Sequence, residues 1–328
     1  MRSIYFDANI YSYASRDAQV DHLRSWLDRK GWSAVASILN LIELARTGDR
    51  AQALAFVGAL TRITRNHEDP PFTVLLADEF LEEVKRHRPN WGRACGWKGR
   101  AERLVSYRKT WNAVRASPEE ALVRLTDFRG HHAPLEQGLH EQQAQVAEWL
   151  RDRGVTAVEV VVSSTLRRLV GDQLADRVDR LPAAERFVRL SALEDWVAAL
   201  LANGSAPNDL RDWVDGHLNS VDEPALAEFW LSDVRLDVVA HHAIRGLVRH
   251  LQPRRSVKQS NRNDVDQANW LLRAELVLTA DKRFFDLLLQ AREHLCAWAH
   301  SIHVAQLGLV APGPDILDAI EKAVAGAK

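Results

Sequence analysis

The sequence predicts an α/β fold: a three-layer domain with a central parallel sheet, assembled from both ends of the chain, plus a mainly α-helical insertion. Three observations predict it. Residues 3–6 (Ser-Ile-Tyr-Phe) and 276–279 (Leu-Val-Leu-Thr) are short apolar runs of the kind that form strands buried on both faces. Around each run, apolar residues recur at spacings of three and four, so strands and helices alternate at both chain ends. Between the ends lies a long stretch of helical periodicity punctuated by Pro and Gly.

In chain order, strand 3–6 leads into a helix beginning at Ala8. Residues 17–30, with Val20, Leu23, Trp26 and Leu27 on one face, form an amphipathic helix stopped by Gly31. A second strand covers 32–37. The helix at 38–46 follows with Ile38, Leu41, Ile42 and Ala45 as its apolar stripe, and another spans 51–64. Asp69-Pro70-Pro71 makes a turn. Residues 72–76 read either as a third strand before a helix at 77–88 or as the start of one continuous helix. The insertion, 89–255, breaks at Ser117-Pro118, Gly130, Gly154, Pro182, Asn203-Gly204 and Pro224, and the β-branched run 158–162 fits strand or helix equally. The α/β pattern resumes over 256–328: a helix at 264–273, strand 276–279, a helix at 282–295, a strand near 301–304 and a closing helix at 315–324. The domain division is therefore 1–88 with 256–328, and 89–255.

Bulk properties exclude several classes. The net charge of −1 and pI near 6.9 give no global field for a polyanion, so any basic surface must be local. Two cysteines, Cys95 and Cys296, supply neither a disulfide framework nor a thiolate zinc site, which points to a reducing cytoplasm. The amino terminus meets Asp7 before any long apolar core, against a signal peptide, and no apolar run is long enough to span a bilayer.

The residues that carry chemistry are acids. Asp7 follows the first strand, Asp281 follows strand 276–279, Glu43 adjoins the apolar stripe of helix 38–46, and Asp264 and Asp266 open the helix before the late strand. In open α/β sheets, ligands bind beyond the carboxyl ends of strands. Carboxylates converging there repel one another unless a divalent cation lies between them, and oxygen-only ligation suits Mg²⁺ or Mn²⁺. Singly, each acid has a plainer role: Asp7, Asp264 and Asp281 would serve as helix N-caps, and Arg46 lies close enough to pair with Glu43.

Ile4-Tyr5-Phe6-Asp7-Ala8-Asn9, Ser37-Ile38-Leu39-Asn40-Leu41-Ile42-Glu43, Asn263-Asp264, and Leu276 to Asp281 followed by Lys282-Arg283-Phe284 together resemble the PIN-domain nucleases. An apolar strand followed by Thr-x-Asp-x-x-Phe is the most specific of these blocks. The resemblance covers about 1–88 and 256–328 and implies a PIN-like fold. It implies metal coordination and catalysis by Asp7, Glu43, Asp264 and Asp281, with Asn9 and Thr279 in supporting polar roles. Spacing to Asp281 favours Asp264 as the third acid, with Asp266 as a neighbouring partner or an additional ligand. The implied activity is Mg²⁺- or Mn²⁺-dependent endonucleolytic hydrolysis, of RNA foremost, leaving 5′-phosphate and 3′-hydroxyl ends. The insertion is far longer than compact members carry at that point. A toxin-type ribonuclease with a protein antitoxin or inhibitor docked on it, and a non-catalytic nucleic-acid- or protein-binding scaffold, are the other readings. Oligomeric state is open.

Two basic segments offer nucleic-acid contacts. Lys85 to Arg115 interleaves cations with Trp91, Trp97, Tyr107 and Trp111, a mixture that suits phosphates and stacked bases or, equally, a solvated helix face whose aromatics point into the core. Arg245, Arg249, Arg254, Arg255, Lys258 and Arg262 lead directly to the third acid, and their position suits steering of single-stranded RNA or DNA. His131-His132 and His241-His242 read as core or surface histidines, although Asp237 and His241 have a metal-compatible spacing of four.

Overall fold

The structure, a computed structural model, describes residues 2–16, 19–45, 49–93, 99–123, 164–201, 209–214, 216–252, 261–298, 302–311 and 315–327. Five strands form one all-parallel sheet: β1 (Arg2–Phe6), β2 (Trp32–Ala36), β3 (Asn66–His67), β4 (Leu276–Thr279) and β5 (Gln306–Leu309), in the order β3-β2-β1-β4-β5. The chain moves outward from β1 through β2 to β3, then returns to the other side of β1 for β4 and β5. Strand order therefore reverses between β1 and β4, the place where such sheets open a crevice at their carboxyl edge.

Period-two alternation divides the core. Tyr5 and its neighbour Val277 face one side, with Leu307. Ile4 and Phe6, in register with Leu276 and Leu278, face the other, with Ala34 and Ala36. The second side is covered by α1 (Ala8–Arg16), α2 (Val20–Lys30), α3 (Ile38–Ala45), α4 (Arg50–Ile63) and, from the chain end, α16 (Ile316–Ala325). Its fit depends on Gly308 in β5: a Cβ there would strike the Leu278 side chain and stand 2.9 Å from the Ala323 carbonyl oxygen. Gly308→Ala is expected to cost about 1–3 kcal/mol by overpacking, read as a lowered urea midpoint at unchanged slope.

The first side carries α5 (Phe72–His87), α13 (Asn261–Gln267), α14 (Trp270–Arg273) and α15 (Lys282–Trp298). Beyond them lie the helices of the middle segment. Among the described residues these include α6 (Gly99–Ala116), α7 (Ser164–Val170), α8 (Asp172–Asp179), α9 (Ala183–Leu200), α10 (Asp209–Val214), α11 (Glu223–Glu228) with a π-helical turn at Phe229–Asp233, and α12 (Ala240–Leu251). One apolar cluster runs from Tyr5 and Val277 through Phe80 on α5 to Trp196 on α9 and Trp230 in the π turn. Middle segment and sheet thus share a core. Residues 99–123 differ: α6 turns Trp111 and Val114, and the residues after it turn Ala121 and Leu122, into the opposite cluster.

One open alternative is decided and two expectations shift. Residues 72–76 open α5: Phe72, Val74, Leu76 and Ala77 are buried along one helix, whereas the third strand is the two-residue Asn66–His67. The last strand is Gln306–Leu309, because Leu307 and Gly308 meet the buried faces on either side. The helix expected at 264–273 is divided by a turn at 268–269. Run 158–162, Gly130, Gly154 and Asn203-Gly204 lie outside the described residues.

Candidate active site at the carboxyl edge of the sheet

Asp7 and Asp281 flank the reversal point, one residue beyond β1 and two beyond β4. Asp7 is buried at 4 % exposure, and its backbone N–H donates to the Leu278 carbonyl at 2.9 Å. Thr279, fully buried at the end of β4, ties the acids together. Its hydroxyl donates to Asp7 Oδ2 at 2.8 Å and accepts the Asp281 N–H at 3.0 Å. Asn9 Nδ2 donates to the same Oδ2 at 3.1 Å. The Asp281 carboxylate meanwhile caps α15, accepting the N–H groups of Arg283 at 2.7 Å and Phe284 at 3.1 Å.

Electrostatics report what else is near. Burial raises the Asp7 pKa; hydrogen bonds from Thr279, Asn9 and the Ala8 N–H oppose the rise, and the charge of Asp281 adds to it. Burial likewise raises the Tyr5 phenol well above its ordinary value, and both Asp7 and Glu43 raise it further. Glu43, half-buried on α3, therefore belongs to the same electrostatic neighbourhood. Asp264 stands half-buried on the first turn of α13. Asp266 is engaged elsewhere, its Oδ1 accepting from Arg245 at 3.0 Å.

Sequence inspection passed over Asn40. Fully buried on α3, it donates to the Tyr5 hydroxyl at 3.0 Å and the Phe6 carbonyl at 3.2 Å, and its Oδ1 accepts the Ser37 N–H at 2.9 Å. It locks the start of α3, which carries Glu43, to the end of β1, which precedes Asp7. The Ser-x-x-Asn spacing from Ser37, close to a capping box, was the available signal. Glu68 was also missed, because β3 before it is only two residues long. Buried at 6 % exposure, it pairs with Arg273 at 2.7 Å and accepts from the Tyr107 hydroxyl at 3.3 Å. Burial raises its pKa, Arg273 opposes, and Asp266 adds to the rise.

The basic segments look different once folded. Arg103 pairs with Asp212, Arg108 with Asp69 and Arg88 with Asp233, each at 2.7 Å, and Arg100 pairs with Asp78. Trp91 and Trp111 are buried, so neither presents a ring for base stacking. Of the two readings of this segment the structure favours the solvated helix face: acids remote in sequence neutralise much of its charge, and the core takes these rings. Trp97 and Lys98 lie outside the described residues, as do Arg254, Arg255 and Lys258 and the side chain of Arg262. Arg245 and Arg249 are ion-paired within the helical layer, and so are not free to steer a polyanion. His241 and His242 both close on Glu79, with Nδ1 at 2.7 and 2.9 Å from its carboxylate oxygens, while Asp237 pairs with Arg235. His131-His132 lies outside the described residues.

In kind, the donors at the reversal point fit a hard divalent cation: all are oxygens, and Asp7 is a buried carboxylate hydrogen-bonded by neutral Thr279 and Asn9. In arrangement, no group of three or more His, Cys, Asp or Glu among the described residues stands close enough to hold an ion. Comparisons with protein-family models, curated proteins and solved structures each return no match to this chain. Among the described residues no helix is long and apolar enough to cross a membrane.

Proposed function

We propose that this chain is a PIN-like, Mg²⁺- or Mn²⁺-dependent endonuclease acting on RNA, with Asp7, Glu43, Asp264 and Asp281 as its carboxylates. One observation carries the reading. Asp7 is a buried acid beside a second acid, Asp281, where strand order reverses, hydrogen-bonded by neutral groups and burdened by its own charge. A divalent cation held by these carboxylates would offset that burden. When bound, the ion stabilises the charge that builds on a phosphoryl group. The protein's own part is orientation: the Thr279 hydroxyl fixes Asp7 relative to Asp281, and Asn40 fixes the α3 start to the end of β1. Asp266 is spent on Arg245, so Asp264 is the third acid in this reading.

The second reading, a non-catalytic scaffold, is favoured by the absence of any three-ligand group among the described residues. The two separate in one experiment. Purified protein is incubated with total RNA, single-stranded DNA and plasmid, with Mn²⁺ or with chelator, and the cut ends are mapped. The nuclease reading expects Mn²⁺-dependent RNA fragments with 5′-phosphate ends. Intact RNA, together with a melting temperature indifferent to Mn²⁺, leaves the scaffold. Fragments formed equally in chelator overturn the metal dependence.

A further inference from the structure

Asp264 and Asp266 lie two residues apart on α13, so they project about 200° apart around the helix axis. Asp266 is held from the helical layer. Arg245 on α12 reaches it at 3.0 Å with one guanidinium nitrogen, and Asp195 on α9 at 3.0 Å with another. Asp195 is doubly served, since Arg249 Nη1 contacts both its carboxylate oxygens at 3.0 Å and also donates to Ser191 at 2.8 Å. Burial penalises the Arg245 charge, and Asp195 and Asp266 outweigh that penalty. The support beneath is stiff. At Gly246, next to Arg245, a Cβ would stand 2.8 Å from the Val188 Cα, so α12 lies almost backbone to backbone on α9. Arg245 also packs over the Phe72 ring at 5.5 Å.

We propose that Arg245 is a positioning residue for the site. By clamping Asp266 to the α9–α12 pair, it fixes the rotation of α13, and hence the direction in which Asp264 is presented. This rests on the reading of Asp264 as a metal-binding acid. It also gives the long middle segment a role, with α9 and α12 as the platform against which α13 is set. The guanidinium fork matters because one planar group must meet two carboxylates on different helices, which a lysine point charge does poorly.

The test uses Arg245→Met in the full chain. Asp195 keeps Arg249 in this variant, and Asp266, partly exposed, regains water. The clamp expects Mn²⁺ affinity, by isothermal titration, to fall by about tenfold or more, the scale seen when outer partners of metal ligands are removed. It also expects metal-free amide exchange to quicken over residues 261–267. Arg245→Lys should fall between wild type and Met. Asp222→Ala removes the N-cap of α11, where Asp222 accepts the Ala225 N–H at 2.8 Å; it should lower the melting temperature while leaving Mn²⁺ affinity unchanged. If Arg245 merely repels the ion, or Asp266 is itself a ligand, Arg245→Met binds Mn²⁺ tighter. That result, or unchanged affinity, overturns the clamp while leaving the metal-site reading intact. Absence of Mn²⁺ binding by the wild type overturns both.

Discussion

Asp7→Asn is expected to abolish RNA cleavage and, in the absence of metal at neutral pH, to raise the melting temperature. The two effects have one origin. The folded protein holds the Asp7 proton more tightly than the unfolded chain, because burial disfavours the carboxylate and Asp281 adds repulsion. A raised folded pKa contributes stability that is full below the unfolded carboxylate value and lost as pH rises through the folded value. Above the unfolded carboxylate value the wild type therefore bears a cost of burying an ionisable acid that Asn avoids, while the Asn side-chain oxygen still accepts from Thr279 and Asn9. The advantage of the variant should vanish in acid, where Asp7 is protonated anyway. Saturating Mn²⁺ should reverse the order, since the wild type gains about 2.7 kcal/mol at one hundred times the dissociation constant. Loss of a direct ligand should exceed the roughly 10–100-fold loss typical of outer partners. Thermal melts across pH with and without Mn²⁺, paired with RNA cleavage, check all of this. A variant less stable than wild type in chelator at neutral pH would contradict the account of Asp7.

Phe80→Ala should cost about 3–5 kcal/mol, a large share of the roughly 5–15 kcal/mol that holds a typical domain. Phe80 is fully buried on α5, stacked on Trp196 at 3.8 Å and 17°, with Phe229 edge-on at 5.7 Å and Trp230 at 6.1 Å. Its ring joins a sheet-covering helix to the middle segment. Because the same cluster extends to Tyr5 and Val277 on the sheet, unfolding should remain a single transition, with circular dichroism and tryptophan fluorescence moving together at a lower urea midpoint. Two separated transitions, only one of them shifted, would mean that 89–255 folds by itself. Phe80→Leu should cost less, since it leaves a smaller cavity.

Much of the sheet was legible. β1, β2 and β4 are apolar runs with visible ends, and parallel strands buried on both faces must read that way. β3 and β5 were not. Two residues show no period, and Gly308 breaks the apolar pattern of the last strand for a reason that exists only where α16 crosses it. Asp7, Asp281 and Thr279 were legible for the same reason as their strands, since a polar residue ending a buried run is conspicuous. Asn40 was not, because it joins α3 to the end of β1, more than thirty residues away in the chain.

Local order is what the sequence determined by itself: which runs bury both faces, which helices have an apolar stripe, and which acids stand at strand ends. These follow from side-chain period and polarity within a few residues. Tertiary structure alone decided how charge is spent. Arg108 reads as a nucleic-acid contact until Asp69 arrives beside it, and Asp266 as a second candidate ligand until Arg245 does. An ion pair depends on distance in space, and the partners here come from segments 39 and 21 residues away.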